Sequence, residues 1–137
     1  MNLQGEIILI DDDNDDREFF EIAYASLNFT NELKVFAKSQ DAIDHLRDPK
    51  TKPFIIISDI NMNTTNGLHL REVIFHDEEL NEKCTPYIFM TGGENPMLAK
   101  EAYKRSVQGF FLKRNNMDDY AELLSNIITY WKFSIPD

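Results

Sequence analysis

Phe54-Ile55-Ile56-Ile57-Ser58-Asp59-Ile60-Asn61-Met62 is the stretch from which the fold can be read. Large apolar residues in unbroken succession form a strand buried on both faces, as in the centre of a parallel sheet. The run stops at Ser58 and is followed by a carboxylate, Asp59. In open α/β sheets, the carboxyl ends of the strands carry the chemistry. The loop Asn63-Thr64-Thr65-Asn66-Gly67 and a helical pattern follow, which puts Asp59 at the mouth of the sheet. Taken alone, Asp59 reads equally well as a simple loop cap. The choice depends on what the other strands bring to the same rim.

Four further strands read from the chain. Glu6 to Ile10 carries Ile7-Ile8-Leu9-Ile10 and ends in Asp11-Asp12-Asp13-Asn14-Asp15-Asp16. Glu32 to Ala37 alternates Leu33, Val35 and Ala37, the pattern of an edge strand with one wet face. Pro86 to Met90 ends in Thr91-Gly92-Gly93, and Gly109 to Leu112 ends at Lys113. Five helical patterns lie between and after the strands. The first shows Phe20, Ala23 and Leu27 on one face, with Asn14 or Asp13 as N-cap and Asp15 and Asp16 as acids suited to the helix dipole. The second begins at a Ser39 cap, carries Ala42, Ile43 and Leu46, and ends at Asp48-Pro49. The third runs from Gly67 to about Phe75 with Leu70, Val73 and Ile74 inward. The polar, acidic stretch from His76 to Thr85 reads as a surface connection. Asn95-Pro96 is a cap with proline at the first helical position; its helix carries Leu98, Ala99, Ala102 and Tyr103. The last helix, with Tyr120, Leu123, Leu124, Ile127, Ile128 and Trp131, has the clearest amphipathic spacing.

Strands and helices in alternation predict a doubly wound α/β domain, a five-stranded parallel sheet with five helices and right-handed crossovers. At 137 residues, one domain is expected. A net charge of −10 argues against a nucleic-acid surface. No apolar run approaches the roughly 20 residues needed to span a bilayer, and no secretory signal is visible. The single cysteine, Cys84, has no internal disulfide partner and no metal-ligand spacing. A reduced, cytoplasmic protein is the expectation. His45, His69 and His76 read as surface helix residues without an assignable acidic partner. Gly92-Gly93 is not a phosphate-binding P-loop, because no Gly-Lys-Ser/Thr follows.

The predicted rim gathers Asp11, Asp12, Asp59, Thr91 and Lys113. Two carboxylates about 4 Å apart repel by roughly 4 kcal/mol at an effective dielectric of 20, so the cluster calls for a cation. Oxygen ligands, with Asn61 nearby and a backbone carbonyl free, fit Mg2+ with retained waters. A metal beside one carboxylate, with a lysine and a hydroxyl opposite, is suited to receiving a phosphoryl group.

On these residues the chain resembles the response-regulator receiver domains of bacterial two-component signalling, with the stand-alone, chemotaxis-type regulators as the nearest kind. The resemblance rests on Ile-Leu-Ile-Asp11-Asp12, on Asp59 with Asn61-Met62 and Gly67, on Thr91-Gly92, and on Gly109-Phe110 before Lys113. It spans nearly the whole chain, and implies a flavodoxin-like strand order of 2-1-3-4-5. It implies that Asp59 is the phosphoacceptor and that Mg2+ is held by Asp11, Asp12, Asp59 and the Asn61 carbonyl, with Asp13 an alternative to either of the first two. Thr91 and Lys113 become the phosphate-sensing hydroxyl and the lysine, which is expected to pair with Asp59 in the empty site. Phe110 becomes the aromatic switch that follows Thr91. The implied partners are a histidine kinase or histidine phosphotransfer protein. Downstream, the implied contact is a protein or a second copy at the face formed by the fourth helix, fifth strand and last helix, where Tyr103, Lys104 and Arg105 form a basic spot. The resemblance also implies a phosphoacceptor that catalyses only its own phosphorylation and dephosphorylation. The chain ends at Asp137 just past the last helix, so residues 1–137 are expected to form a lone receiver without an output domain.

Two positions depart from the family pattern. Arg114 stands where proline commonly follows the lysine in a cis bond, and a non-proline cis bond costs about 3 kcal/mol, so that loop geometry is not carried over. Asn63 also replaces a common proline. Two other functions compete. Aspartate-nucleophile phosphohydrolases share Asp, Mg2+, Thr and Lys, but typically carry an acid two residues after the nucleophile, where Asn61 stands here, and no cap insertion is present. A receiver-like interaction module that is never phosphorylated would lack one of the acids, the threonine or the lysine, and none is lacking.

Overall fold

The computed structural model describes residues 1–62, 66–84, 86–93 and 95–136. Five parallel strands, β1 (Ile7–Ile10), β2 (Leu33–Phe36), β3 (Ile55–Asp59), β4 (Tyr87–Thr91) and β5 (Gly109–Leu112), lie in the order β2-β1-β3-β4-β5. The helices are α1 (Asn14–Ala25), α2 (Ser39–Arg47), α3 (Gly67–His76), α4 (Glu78–Lys83), α5 (Pro96–Lys104) and α6 (Met117–Lys132). This is the doubly wound flavodoxin-like sheet expected, with six helices instead of five. No described helix is long and apolar enough to cross a membrane.

The sheet divides the core by residue parity. Ile7, Leu9, Ile55, Ile57, Ile88 and Met90 face α1 and α6, where Phe20, Ala23, Tyr120, Leu124 and Ile128 cover them. Ile8, Ile10, Ile56, Tyr87 and Phe89 face α2 to α5, under Ala42, Leu46, Leu70, Ile74, Leu80 and Ala102. The strand β3 is buried along its whole length, as its unbroken apolar run requires. Edge strand β2 is half-buried throughout: Leu33 and Val35 pack on one cluster, while on the opposite face Phe36 packs on the other and Lys34 remains 42% exposed.

Three local readings change. The sixth helix, α4, occupies the polar stretch taken for a connection. Asp77 caps it by accepting the Leu80 amide, Glu78 and Glu79 suit its first turn, and Leu80 and Cys84 supply an i,i+4 buried pair. Ser39 opens α2 instead of capping it; Lys38 holds the cap position without a side-chain hydrogen bond. His45 has an acidic partner, since its Nε2 lies 2.8 Å from Glu6 Oε1 and its ring packs on Phe36. Cys84 is a free, buried thiol, pushed up to about 12 by burial, which keeps it an unreactive apolar residue.

The inward stripe of α3 is the largest departure. Val73 is exposed and Arg71 is fully buried. Positions 67, 70, 71 and 74 form one helical face, so Arg71 takes an inward slot that apolarity would assign to Val73. Its guanidinium sits over the Phe75 and Tyr87 rings, 5.4 and 4.9 Å from their centroids. Its Nε and Nη2 donate to the Arg105 and Ser106 carbonyls at 3.0 and 3.1 Å. Ser106 has φ 59°, a left-handed turn that ends α5 and starts the approach to β5. Arg71 therefore ties α3 to the turn that aims β5. Arg105 reinforces the join through Glu72 of α3 at 2.8 Å and Glu101 of α5 at 3.1 Å.

Truncation at Arg71→Ala removes both carbonyl bonds and leaves a cavity between two rings. We expect a loss of about 3 kcal/mol, read as a lowered urea midpoint at unchanged slope.

Candidate phosphoacceptor site at the mouth of the sheet

Ile10 pairs with Ser58, so Asp11 and Asp59 leave adjacent strands at one level. Both continue the parity that faces α1 and α6, as does Lys113 after Phe111. Thr91 continues the opposite parity, that of Tyr87 and Phe89, towards α5. The rim thus separates a charged half from a hydroxyl half.

In the charged half, Asp11, Asp12 and Asp59 each offer a carboxylate oxygen within 4.8 Å of the others. Asp11 and Asp59 are nearly buried, with 2% and 6% of their surface accessible. The donor set is all oxygen and carries three negative charges, which suits a hard divalent cation. Asp13 is the N-cap of α1 and accepts the Asp16 amide at 2.9 Å. That resolves the cap in favour of Asp13 and leaves Asp11 and Asp12 as the pair in the cluster.

Lys113 does not pair chiefly with Asp59. Its Nζ lies 2.8 Å from Asp11 Oδ2 and 2.7 Å from Asp16 Oδ2, and 3.6 Å from Asp59 Oδ2. Burial alone would lower the Lys113 pKa; the three carboxylates outweigh it and raise the value above normal. Asp16, read from sequence only as a first-turn acid, belongs to this network. Its signal was its place on α1, one turn past the strand end that carries Asp11.

Burial pushes the Asp59 carboxyl up to about 6; the positive charge of Lys113 opposes this, Asp11 adds to it, and the Asn61 amide holds it back by donating to Oδ1 at 3.2 Å. Beyond it, Asn61 and Asn66 form an antiparallel bridge, and the Gly67 amide donates to the Ile60 carbonyl at 3.0 Å. A Cβ at Gly67 would lie 2.6 Å from the Asp59 carbonyl oxygen and 2.7 Å from the Ile60 Cα. Glycine is therefore what lets α3 start against the strand end that presents Asp59. Asn63, the other departure from the family pattern, lies outside the described residues.

Thr91 is 2% exposed, and its hydroxyl is turned onto its own loop, donating to the Gly93 carbonyl at 3.2 Å. A Cβ at Gly92 would meet no described atom within 4 Å, so that residue opens onto free space beside Asp59. A cleft of about 320 Å³ is lined by Asp12, Asp59, Asn61, Gly92, Gly93 and Lys113, among others. Phe110 pairs with Phe89 on β4, two positions before Thr91 on the same face, and lies between the Phe89 and Tyr103 rings. The expected basic spot is partly used up: Arg105 is tied to Glu72 and Glu101, and Lys104 approaches Glu101 at 3.4 Å.

Because the folded Asp59 keeps its proton to about pH 6 and the unfolded one only to the ordinary carboxyl value of 3.8, folding binds a proton between those values. Stability from this group therefore falls as pH rises through that window. In metal-free protein, Asp59→Asn removes the penalty: its advantage over wild type grows from pH 4 to pH 6.5 and reaches about 1–2 kcal/mol, after discounting for solvent screening. Paired urea titrations across that range measure it.

The response regulator receiver domain model matches residues 7–125. No curated protein matches the chain in sequence. Among solved structures, the phosphorylated cyanobacterial phytochrome response regulator RcpA superposes with a TM-score of 0.84 at 19% identity, covering 98% of this chain and 99% of its own. Response regulator RPA3017, in red light signaling of R. palustris, gives 0.83 at 19% identity with 96% and 99% covered. The Mn2+-bound form of response regulator Rcp1 gives 0.80 at 18% identity with 96% of each chain covered. With this family match over most of its length, the chain belongs to the response regulator receiver domains of two-component signalling.

Proposed function

We propose that this protein is a phosphoacceptor of a two-component phosphorelay, and that Asp59 receives the phosphoryl group. The observation that carries the reading is the setting of Asp59. It is a nearly buried carboxylate at the end of the central strand, clustered with Asp11 and Asp12, with a lysine ammonium 3.6 Å from one of its oxygens. An Asp59 oxygen attacks phosphorus, the phosphorus–nitrogen bond of a donor phosphohistidine breaks, and the imidazole leaves with the bonding pair and takes up a proton. The product is an acyl phosphate, which water later cleaves to restore the carboxylate and release inorganic phosphate. The donor is a histidine kinase or a histidine phosphotransfer protein, and the chain promotes only its own phosphorylation and dephosphorylation.

The residues present fit Mg2+, with Asp11, Asp12, Asp59 and the Asn61 carbonyl as its holders. When bound, the ion supplies positive charge that neutralises the carboxylates and the transferring oxygens. Lys113 supports a further equatorial oxygen as an ion pair, and the Thr91 hydroxyl turns from the Gly93 carbonyl to donate to another. That turn leaves space on the α5 side of the sheet. Phe110, half-buried between Phe89 and Tyr103, is placed to follow, which carries the signal to the α5-β5-α6 face by packing. A downstream protein or a second copy would read the change there. The populations of the two states shift only as far as they differ in affinity for the phosphoryl group.

Incubation with phosphoramidate and Mg2+ is expected to add the mass of one phosphoryl group to the wild type. Asp59→Asn is expected to add none, and excess EDTA to abolish the gain. An Asp59→Asn protein labelled like wild type refutes the assignment. For the output face, backbone amide spectra with beryllofluoride and Mg2+ should show shifts at residues 98–112 as well as at the rim. Shifts confined to the surroundings of Asp59 would leave the α5-β5-α6 route unsupported.

A further inference from the structure

We infer that Asp16 is a positioning residue for phosphoryl transfer: together with Asp11 it takes up the short hydrogen bonds of the Lys113 ammonium, which leaves the Asp59 oxygens without a direct hydrogen bond from the lysine. The inference rests on Asp59 being the phosphoacceptor.

An ammonium group has three hydrogens to donate. Here two contacts are short, 2.8 Å to Asp11 Oδ2 and 2.7 Å to Asp16 Oδ2, in the range of charge-assisted hydrogen bonds. The distance to Asp59 Oδ2, 3.6 Å, is beyond hydrogen-bonding length. The two short bonds come from different directions. Asp11 lies at the end of β1, and Asp16 lies in the first turn of α1. That turn is fixed by the Asp13 cap on the Asp16 amide and by Arg17 Nη1 donating to the Asp11 carbonyl at 2.9 Å. Asp16 is half-exposed, with 46% of its side chain accessible, while Lys113 shows 12%. A solvated carboxylate has no need of a buried partner; its reach into the site is matched by what it does to the lysine.

Without the Asp16 charge, Asp11 and Asp59 are the remaining carboxylates in contact with Lys113 among the described residues. Asp59 Oδ2, already 3.6 Å from the ammonium, is then the nearest acceptor for the hydrogen that Asp16 releases. A direct Lys113–Asp59 hydrogen bond would occupy an Asp59 oxygen and would have to break before that oxygen attacks phosphorus. With Asp16 in place, the ammonium stays beside Asp59 at 3.6 Å without a hydrogen bond to it. The lysine is preorganised for the group that arrives and does not mask the one that attacks.

Asp16→Asn and Asp16→Glu, both in the full chain, test this. The first keeps shape and removes charge, and the second restores charge. Two quantities are measured: the rate of labelling by phosphoramidate with Mg2+, and the 1H–15N resonance of the Lys113 ammonium with no phosphodonor, assigned by its loss in Lys113→Arg. We expect Asp16→Asn to label about fivefold more slowly, which corresponds to the loss of one charge-assisted hydrogen bond, and its Lys113 resonance to shift. Asp16→Glu should recover most of both. A wild-type rate in Asp16→Asn, or an unmoved Lys113 resonance, overturns the positioning role while the phosphoacceptor assignment stands. A wild-type protein that takes no label overturns the phosphoacceptor assignment and this inference with it.

Discussion

Lys113 is the point at which the structure closes. Its ammonium joins the end of β5 to the end of β1 through Asp11, to α1 through Asp16 and, more distantly, to the end of β3 through Asp59. No other described side chain contacts three elements at the rim with opposite charge. The carboxylates brought together there repel one another, and only their attraction to a buried cation makes the arrangement tolerable before a metal arrives. Burial of Asp59 and the charge of Lys113 act on it in opposite senses, and burial prevails, so its carboxyl stays above the usual carboxylate range.

The sheet supplies the precision this balance needs. Parallel strands in register set Asp11 beside Asp59, and alternation sends these two and Lys113 to the α1 and α6 side while Thr91 goes to the α5 side. One side holds the charged residues, and the other holds Thr91 and Phe110. Gly67 allows α3 to begin in contact with the Asp59 and Ile60 backbone, which no larger residue permits without movement. Opposite this rim end of the sheet, Arg71 and Arg105 fasten α3, α5 and the turn into β5 together. The end of α5 is thereby fixed, and the open cleft is bordered by Gly92 and Gly93, which follow Thr91.

The sequence by itself determined the strands, their order of use and the cluster. Four apolar runs end at polar residues, and period-two alternation fixes which face each of those residues continues. That is why Asp11, Asp12, Asp59, Thr91 and Lys113 could be assembled without coordinates. The α4 helix was legible too, in the cap-like Asp77 and the Leu80–Cys84 spacing, but its acidity read as solvent-facing loop. Tertiary structure alone decided three things. Arg71 faces inward and Val73 outward, because carbonyls on the α5–β5 turn and two rings compensate a buried guanidinium, and all of those partners but Phe75 lie more than ten residues away along the chain. His45 meets Glu6 across the sheet's far end for the same reason. Asp16 reaches Lys113, although 97 residues separate them. Periodicity describes how a residue relates to its own helix or strand; it holds no record of which distant charge will stand opposite, and that pairing exists only once the elements have packed.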